Sequence, residues 1–315
     1  MSWFAQAPAN IALIKYMGKK NTESNLPENP SLSYTLNKLL SSVTLEEYPG
    51  RKDVWEPLPA PGGIPFNLSP AAQQRFLQHL AMLKNHFQYT GAFLVRSSNN
   101  FPHSSGLASS ASSFAALTKC AVRALCELRG IEELSAQEQA KLSRLGSGSS
   151  CRSFFSPWAY WEDEHVDAID LPYKDLLHQV IIINHDEKPV SSSEAHQRIK
   201  SSTFYDTRAA RAKDNLKVLL IALRAQDWKS CYEICWHEFH DMHQLFSTCD
   251  QPFEYMAAES KAVLSLLQRR WQELGDGPIV TMDAGPNIHL LYRPDQAVMA
   301  QEFKQSNLVG NFDVL

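Results

Sequence analysis

Cysteine is scarce in this chain: six among 315 residues, at positions 120, 126, 151, 231, 235 and 249, with no framework spacing. That excludes a disulfide-stapled scaffold and predicts reduced thiols in a cytoplasmic protein. Long apolar runs are missing as well. Val180–Ile183 and Val218–Leu223 are far too short to span a bilayer, so no membrane partner is expected. The N-terminus shows no basic stretch followed by an apolar core, so no secretory leader is expected. No block of like charges reaches five and the formal net charge is −4, so nucleic acid is not an expected partner either. There is no internal repeat. The dinucleotide fingerprint G-x-G-x-x-G and the Walker loop G-x-x-x-x-G-K-[ST] do not occur. Gly146-Ser147-Gly148-Ser149-Ser150 approaches the hydrolase elbow G-x-S-x-G but lacks its final glycine.

What is present is an ordinary globular composition, 44% apolar and 20% charged, at a length that suggests two domains. Strand-like segments at 3–9, 43–48, 91–97, 154–161 and 179–185 interleave with helical patterns at about 70–88, 107–129 and 134–145. Residues 49–69 are rich in Pro and Gly and read as a loop around a short strand at Val54–Trp55. After Asn184 the texture turns helical over 191–275, with strands at 279–283 and 288–292 and a helix near 294–304. The pattern breaks at His185-Asp186-Glu187-Lys188-Pro189, which predicts domains 1–187 and 188–315.

The most informative stretch is Phe101-Pro102-His103-Ser104-Ser105-Gly106-Leu107-Ala108-Ser109-Ser110-Ala111. Small residues let backbone approach a ligand, Gly106 permits conformations closed to bulkier residues, and four serines add hydroxyls. Phe114, Leu117, Ala121, Leu125 and Leu128 then recur at helical spacing, so a helix N-terminus faces whatever the loop holds. The stretch resembles the phosphate loop of the GHMP superfamily of small-molecule kinases. Its form Pro-x-x-x-Gly-Leu-Ala-Ser-Ser-Ala is typical of one branch, the mevalonate diphosphate decarboxylases. Three more blocks resemble that branch and occur in its order: Ala7-Pro8-Ala9-Asn10-Ile11-Ala12-Leu13-Ile14-Lys15-Tyr16, Gly146-Ser147-Gly148-Ser149-Ser150-Cys151-Arg152-Ser153 and Met282-Asp283-Ala284-Gly285-Pro286-Asn287.

The resemblance implies an α+β, two-domain GHMP-type fold. Its first domain, ribosomal-protein-like, binds ATP; the second is a small sheet backed by helices; the active site lies in the cleft between them. It implies ATP-dependent decarboxylation of mevalonate 5-diphosphate to isopentenyl diphosphate, with ATP and Mg²⁺ as cofactors and a homodimer as the assembly. Ser104, Ser105, Gly106, Leu107, Ala108, Ser109 and Ser110 would hold ATP, with Ser109 meeting the magnesium. Asp283 would orient or deprotonate the substrate's 3-hydroxyl. Lys15 lies in an apolar run, a costly position for a charge unless it is paired, and it would sit beside Asp283. Arg152 would grip the carboxylate with its planar fork, and Asn10 would hydrogen-bond substrate or Lys15. Tyr16, Met17, Gly18, Lys19, Ser147, Gly148, Ser149, Ser150, Cys151, Ser192 and Ser193 complete the expected substrate site.

Two departures stand out. The branch commonly has Trp where this chain has Met17, and Gly-Met where it has Ala195 and His196. A kinase acting on the 3-hydroxyl of mevalonate, or a decarboxylase of the monophosphate, remains open on the same scaffold. A different class is suggested by Cys231, Cys235, His237, His240 and His243, crowded into thirteen residues with helical i, i+3 spacing. Such a cluster could bind zinc in a non-catalytic interaction module, although no second Cys/His pair follows downstream.

Overall fold

The computed structural model describes residues 1–59, 67–101, 109–184 and 190–315. The chain begins with β1 (Ser2–Ile14), a small hairpin of β2 (Lys19–Asn21) and β3 (Leu26–Pro27), the long β4 (Ser31–Tyr48) and β5 (Val54–Pro57). Then follow α1 (Pro70–His86), β6 (Ala92–Asn99), α2 (Ser109–Arg129), α3 (Ala136–Gly146), a 3₁₀ turn at Gly148–Phe154, β7 (Trp158–Glu162) and β8 (His165–Ala168). The remainder is β9 (Leu177–Ile182), α4 (Ser192–Arg198), α5 (Arg208–Arg224), α6 (Trp228–Ser247), α7 (Ala258–Leu274), β10 (Ile279–Met282), β11 (Ile288–Tyr292), α8 (Ala297–Phe303) and β12 (Asp313–Val314).

Two sheets result. The first runs β5-β6-β4-β7-β8, with β1 antiparallel to β4 along nearly its whole length. The second runs β10-β11-β9-β12. Strand β9 was expected to close the first domain, but it pairs with β11 and belongs to the second sheet. The residues of the expected break, 185–189, lie outside those described. The expected strand at 43–48 is the second half of β4, which begins at Ser31. The strand expected from 154 begins only at Trp158, because Phe154 still ends the 3₁₀ turn. Lys15 falls one residue beyond β1.

The register shift between Pro8 and Ala9 gives β1 two jobs. Trp3, Ala5 and Ala7 pack with the inner faces of α1 and α2, whereas Ala9, Ile11 and Leu13 join a second core. That second core is continuous across both sheets: Leu32, Tyr34 and Trp158 share it with Val180, Ile181, Leu290 and the apolar faces of α5, α6 and α7. Helix α6 carries Cys231, Cys235 and Phe239 on one stripe, at the i, i+4 spacing that a helix needs to cover a sheet.

Tyr34 ties the first sheet to the segment entering β9. Its hydroxyl donates to the Lys174 carbonyl at 2.8 Å and accepts the Leu176 N–H at 2.8 Å. Tyr34→Phe removes both bonds and strands a buried donor, so a loss of ~1–3 kcal/mol is expected, read as a lowered urea midpoint. An unchanged midpoint would show that the clamp is dispensable.

Candidate active site

A cavity of about 630 Å³ opens between the two sheets and is lined by residues from all four sequence blocks. At its floor the Lys15 ammonium meets the Asp283 carboxylate at 2.8 Å; Lys15 is 1% exposed and Asp283 29%. Each side of the pair is fixed from behind. The Lys15 N–H donates to Glu238 Oε1 at 3.0 Å, and Asn29 Nδ2 donates to the Lys15 carbonyl at 2.9 Å. Asp283 caps β10 in a tight Asp-Ala-Gly-Pro turn whose Gly285 N–H returns to the Asp283 carbonyl at 2.8 Å. That carbonyl also accepts the Nε2–H of His243 at 3.1 Å. The Ser260 hydroxyl holds the Pro286 carbonyl at 2.8 Å.

Burial alone would raise the Asp283 carboxyl; the Lys15 ammonium outweighs it, with His289 and Arg152 adding to the effect, and the group is held below its ordinary range. Burial lowers the Lys15 ammonium, and Asp283 opposes that shift. The pair is thus a salt bridge with one face open to the cavity. Burial pushes the His243 imidazole down to about 3, so it stays neutral and serves as a donor to the turn.

Arg152 rises from the 3₁₀ turn into the same cavity. Its Nε donates to Asn10 Oδ1 at 3.1 Å and its Nη1 to Ser31 Oγ at 2.8 Å. Its guanidinium lies 5.7 Å from the centre of the Trp161 ring. Among the described residues Nη2 has no hydrogen-bond partner and Arg152 has no carboxylate partner. Asn10 does not line the cavity; it works through Arg152, because Nδ2 is spent on Ser153 Oγ at 2.8 Å and the Ser149 carbonyl at 3.3 Å. Ser147, Gly148 and Ser149 do line it. Gly148 leaves room for Tyr16: a Cβ there would come within 2.5 Å of the Tyr16 hydroxyl and displace the ring. Ser150 and Cys151, expected at the substrate, are turned inward: the Ser150 hydroxyl bonds Ser143 Oγ and the Ser147 carbonyl, and Cys151 sits in a small core with Trp161.

Tyr16, Met17, Lys19, Ser192 and Ser193 line the cavity. Gly18 contributes no lining group, since its N–H is taken by His196 Nδ1 at 3.0 Å. Lys19 donates to Asn25 Oδ1 at 2.7 Å and Tyr16 to the Asn25 carbonyl at 3.1 Å. Lys19 has no carboxylate partner among the described residues, and its ammonium is lowered by burial and then by Arg75. At the other end Ser109, Ser110 and Ser113 stand at the start of α2, braced by a buried Ser41–Asn99–Ser112 cluster. Ser104, Ser105, Gly106, Leu107 and Ala108 lie outside the described residues.

Several contributors were not legible beforehand. Glu238 and Asp241 of α6 chelate the buried Arg208 of α5, and Asn215 adds a bond to Glu238. Asn25 was unmarked in the sequence, as was Arg75, whose guanidinium donates to the Gly146 carbonyl at 3.0 Å. A carboxylate inside an apolar helical stripe was the one available signal for Glu238. The zinc reading does not survive. Cys231 and Cys235 belong to the core, His237 is exposed, and His240 donates to the Trp236 carbonyl at 2.8 Å. His243 faces the Asp283 turn, and no group of three metal-ligating side chains is gathered among the described residues.

Two sheets around a cleft that holds a paired lysine and aspartate, two cations without a carboxylate partner among the described residues and a serine-lined helix start fit a small-molecule phosphate enzyme of GHMP type. The family models are more particular. Residues 7–170 match the diphosphomevalonate decarboxylase-like N-terminal domain, and residues 179–307 match the mevalonate 5-diphosphate decarboxylase C-terminal domain. The chain belongs to the diphosphomevalonate decarboxylase family. It is 64% identical to a mevalonate diphosphate decarboxylase from Legionella pneumophila, each chain covered in full, with a TM-score of 0.94. It is 30% identical to a chain described as MDDEF in complex with MVAPP, AMPPCP and magnesium, over 100% of this chain and 96% of that one, with a TM-score of 0.87. Diphosphomevalonate decarboxylase of Saccharomyces cerevisiae is 30% identical, over 91% of this chain and 76% of its own.

Proposed function

We propose that this chain catalyses the ATP-dependent decarboxylation of mevalonate 5-diphosphate. The observation that carries the reading is the Lys15–Asp283 pair, one face open, in the same cavity as an Arg152 that has no carboxylate partner among the described residues. Asp283 holds the 3-hydroxyl by its proton. A carboxylate with a lowered pKa is a weak base, but a loose phosphoryl transfer takes the proton late, so orientation matters more than basicity. Lys15 neutralises charge on the transferring group. Once the 3-oxygen carries the phosphoryl group it becomes a leaving group. The electrons of the bond to the carboxyl carbon form the new C=C bond, and carbon dioxide and phosphate depart. Arg152 aligns the carboxylate for that step. A 3-kinase would leave Arg152 without a task.

Lys19, Tyr16, Ser192 and Ser193 receive the diphosphate, and Ser109 and Ser110 receive ATP. Hard oxygen donors at the helix start suit a magnesium–phosphate complex, and the Ser109 hydroxyl would meet the ion. When bound, magnesium neutralises the phosphate oxygens. Six free, buried thiols support a cytoplasmic location, and no described helix is long and apolar enough to cross a membrane.

ADP release measured with mevalonate, its 5-phosphate and its 5-diphosphate tests the reaction. Turnover with the diphosphate, and carbon dioxide released in equal amount, is expected; turnover with either of the other two alone would replace this reading. Ser109→Ala is expected to raise the KM for ATP several-fold, about 1 kcal/mol for one phosphate hydrogen bond, with the KM for mevalonate 5-diphosphate little changed. Unaltered nucleotide kinetics would remove Ser109 from the phosphate site.

A further inference from the structure

One imidazole on the cavity wall, His196, has no task in the mechanism above. The ring is 6% exposed and belongs to α4, with its centre 4.6 Å from that of Tyr16. Nδ1 accepts the Gly18 N–H at 3.0 Å. A backbone N–H only donates, so Nδ1 carries no proton and the proton of the neutral ring is on Nε2. Burial, and next the charge of Lys19, push the imidazole down to about 3, so the ring is neutral under working conditions. Nε2 has no hydrogen-bond partner among the described residues, and His196 lines the cavity beside Lys19 and Ser192. His196 borders the cavity, so a ligand that displaces water from its Nε2–H must accept from it or leave a donor unpaired. The anchor position requires glycine. Gly18 has φ +108°, and a Cβ there would sit 3.0 Å from Glu28 Cβ.

We propose that His196 is a substrate-recognition residue: its Nε2–H donates a hydrogen bond to an oxygen of the substrate's diphosphate, next to the Lys19 ammonium. The inference rests on the decarboxylase reading above. A methionine thioether cannot donate to a phosphate oxygen. A neutral N–H adds recognition beside Lys19 without a second buried cation to repel it. The Gly18 bond sets the tautomer, so the backbone of the 16–19 segment decides which ring nitrogen faces the ligand.

The test begins with the unmodified full chain. If it fails to turn over mevalonate 5-diphosphate, the reaction is wrong, and the hydrogen bond is judged separately as below. Given turnover, His196→Met is expected to raise the KM for mevalonate 5-diphosphate about tenfold or more with the KM for ATP within twofold. His196→Gln, which keeps an N–H donor near the reach of Nε2, is expected to recover most of the loss. A diphosphate KM within twofold in His196→Met, or equal damage in both variants, overturns the proposal and leaves His196 a packing group. Nitrogen-15 histidine spectra of the unmodified chain answer independently of variant folding and of the reaction. Saturating inorganic pyrophosphate is expected to shift one Nε2–H resonance downfield, with mevalonate having no such effect. No change in any histidine resonance with pyrophosphate overturns the assignment.

Discussion

Asp283→Asn is expected to lower kcat by about three orders of magnitude, ~4 kcal/mol of barrier. The amide keeps the size of the carboxylate and can still touch Lys15, so the cavity keeps its shape. Two things are lost. The amide cannot take the proton of the 3-hydroxyl, and the Lys15 ammonium, 1% exposed, loses the charge that holds it there. With its partner gone, burial lowers the Lys15 ammonium further, so positive charge at the transferring phosphoryl group weakens too. Binding of a non-hydrolysable ATP analogue should survive, because Ser109 and Ser110 stand on a different element, α2. Single-turnover ADP formation and analogue binding, measured on the same preparation, separate the two effects. A kcat within tenfold of the unmodified chain would place the reacting hydroxyl away from Asp283.

Arg152→Lys is the second large effect and differs in kind. Carbon dioxide release is expected to fall about a hundredfold, while ADP formation falls less. Lysine keeps the charge, but it cannot hold Asn10 and Ser31 as Nε and Nη1 do and still offer a further N–H to the substrate. Without that bracing the substrate carboxylate keeps a positive neighbour and loses its alignment with the breaking bond. Phosphorylation at the 3-oxygen depends on Asp283 and Lys15 and needs no such alignment. The variant should therefore consume ATP in excess of carbon dioxide, shown by ADP and labelled carbon dioxide counted in one sample. Equal rates in both channels, at the level of the unmodified chain, would return Arg152 to a structural role.

The parts of the site legible in the sequence are those that lie in short runs. Asp283 in its turn, Lys15 at the end of an apolar strand and Arg152 after a Ser/Gly run each carried a local signal, and the four ordered blocks identified the family. What stayed hidden depends on contacts remote in sequence. Glu238 reaches the Lys15 N–H across 223 residues, and nothing near either residue announces the other. Strand β9 reads as a buried apolar run, and such a run does not say which sheet it will join. The first half of β4 buries Ser31, Ser33 and Thr35 along with Leu32, Tyr34 and Leu36, so the contrast between faces that marks a strand is absent. Ser150 and Cys151 sit in a run of small residues where a 3₁₀ turn, not composition, decides which side chains face outward. The helical spacing of His237, His240 and His243 was read correctly as helix, but their side chains go to solvent, to the helix's own backbone and to the Asp283 turn.

The core shared by β1, β4 and Trp158 with β9, β10 and β11 bears on how the chain could be divided. Separated between the family's two regions, the first piece would present Ile11, Leu13, Leu32 and Trp158 to water. The second would present Val180, Ile181 and Leu290, and aggregation of either piece expressed alone is expected. The pieces would be insoluble partners, not exchangeable modules. The cleft above that core accordingly has walls that share a foundation: opening it by swinging one sheet away from the other would tear the apolar layer beneath, so changes of shape around the ligands belong to the segments at the rim.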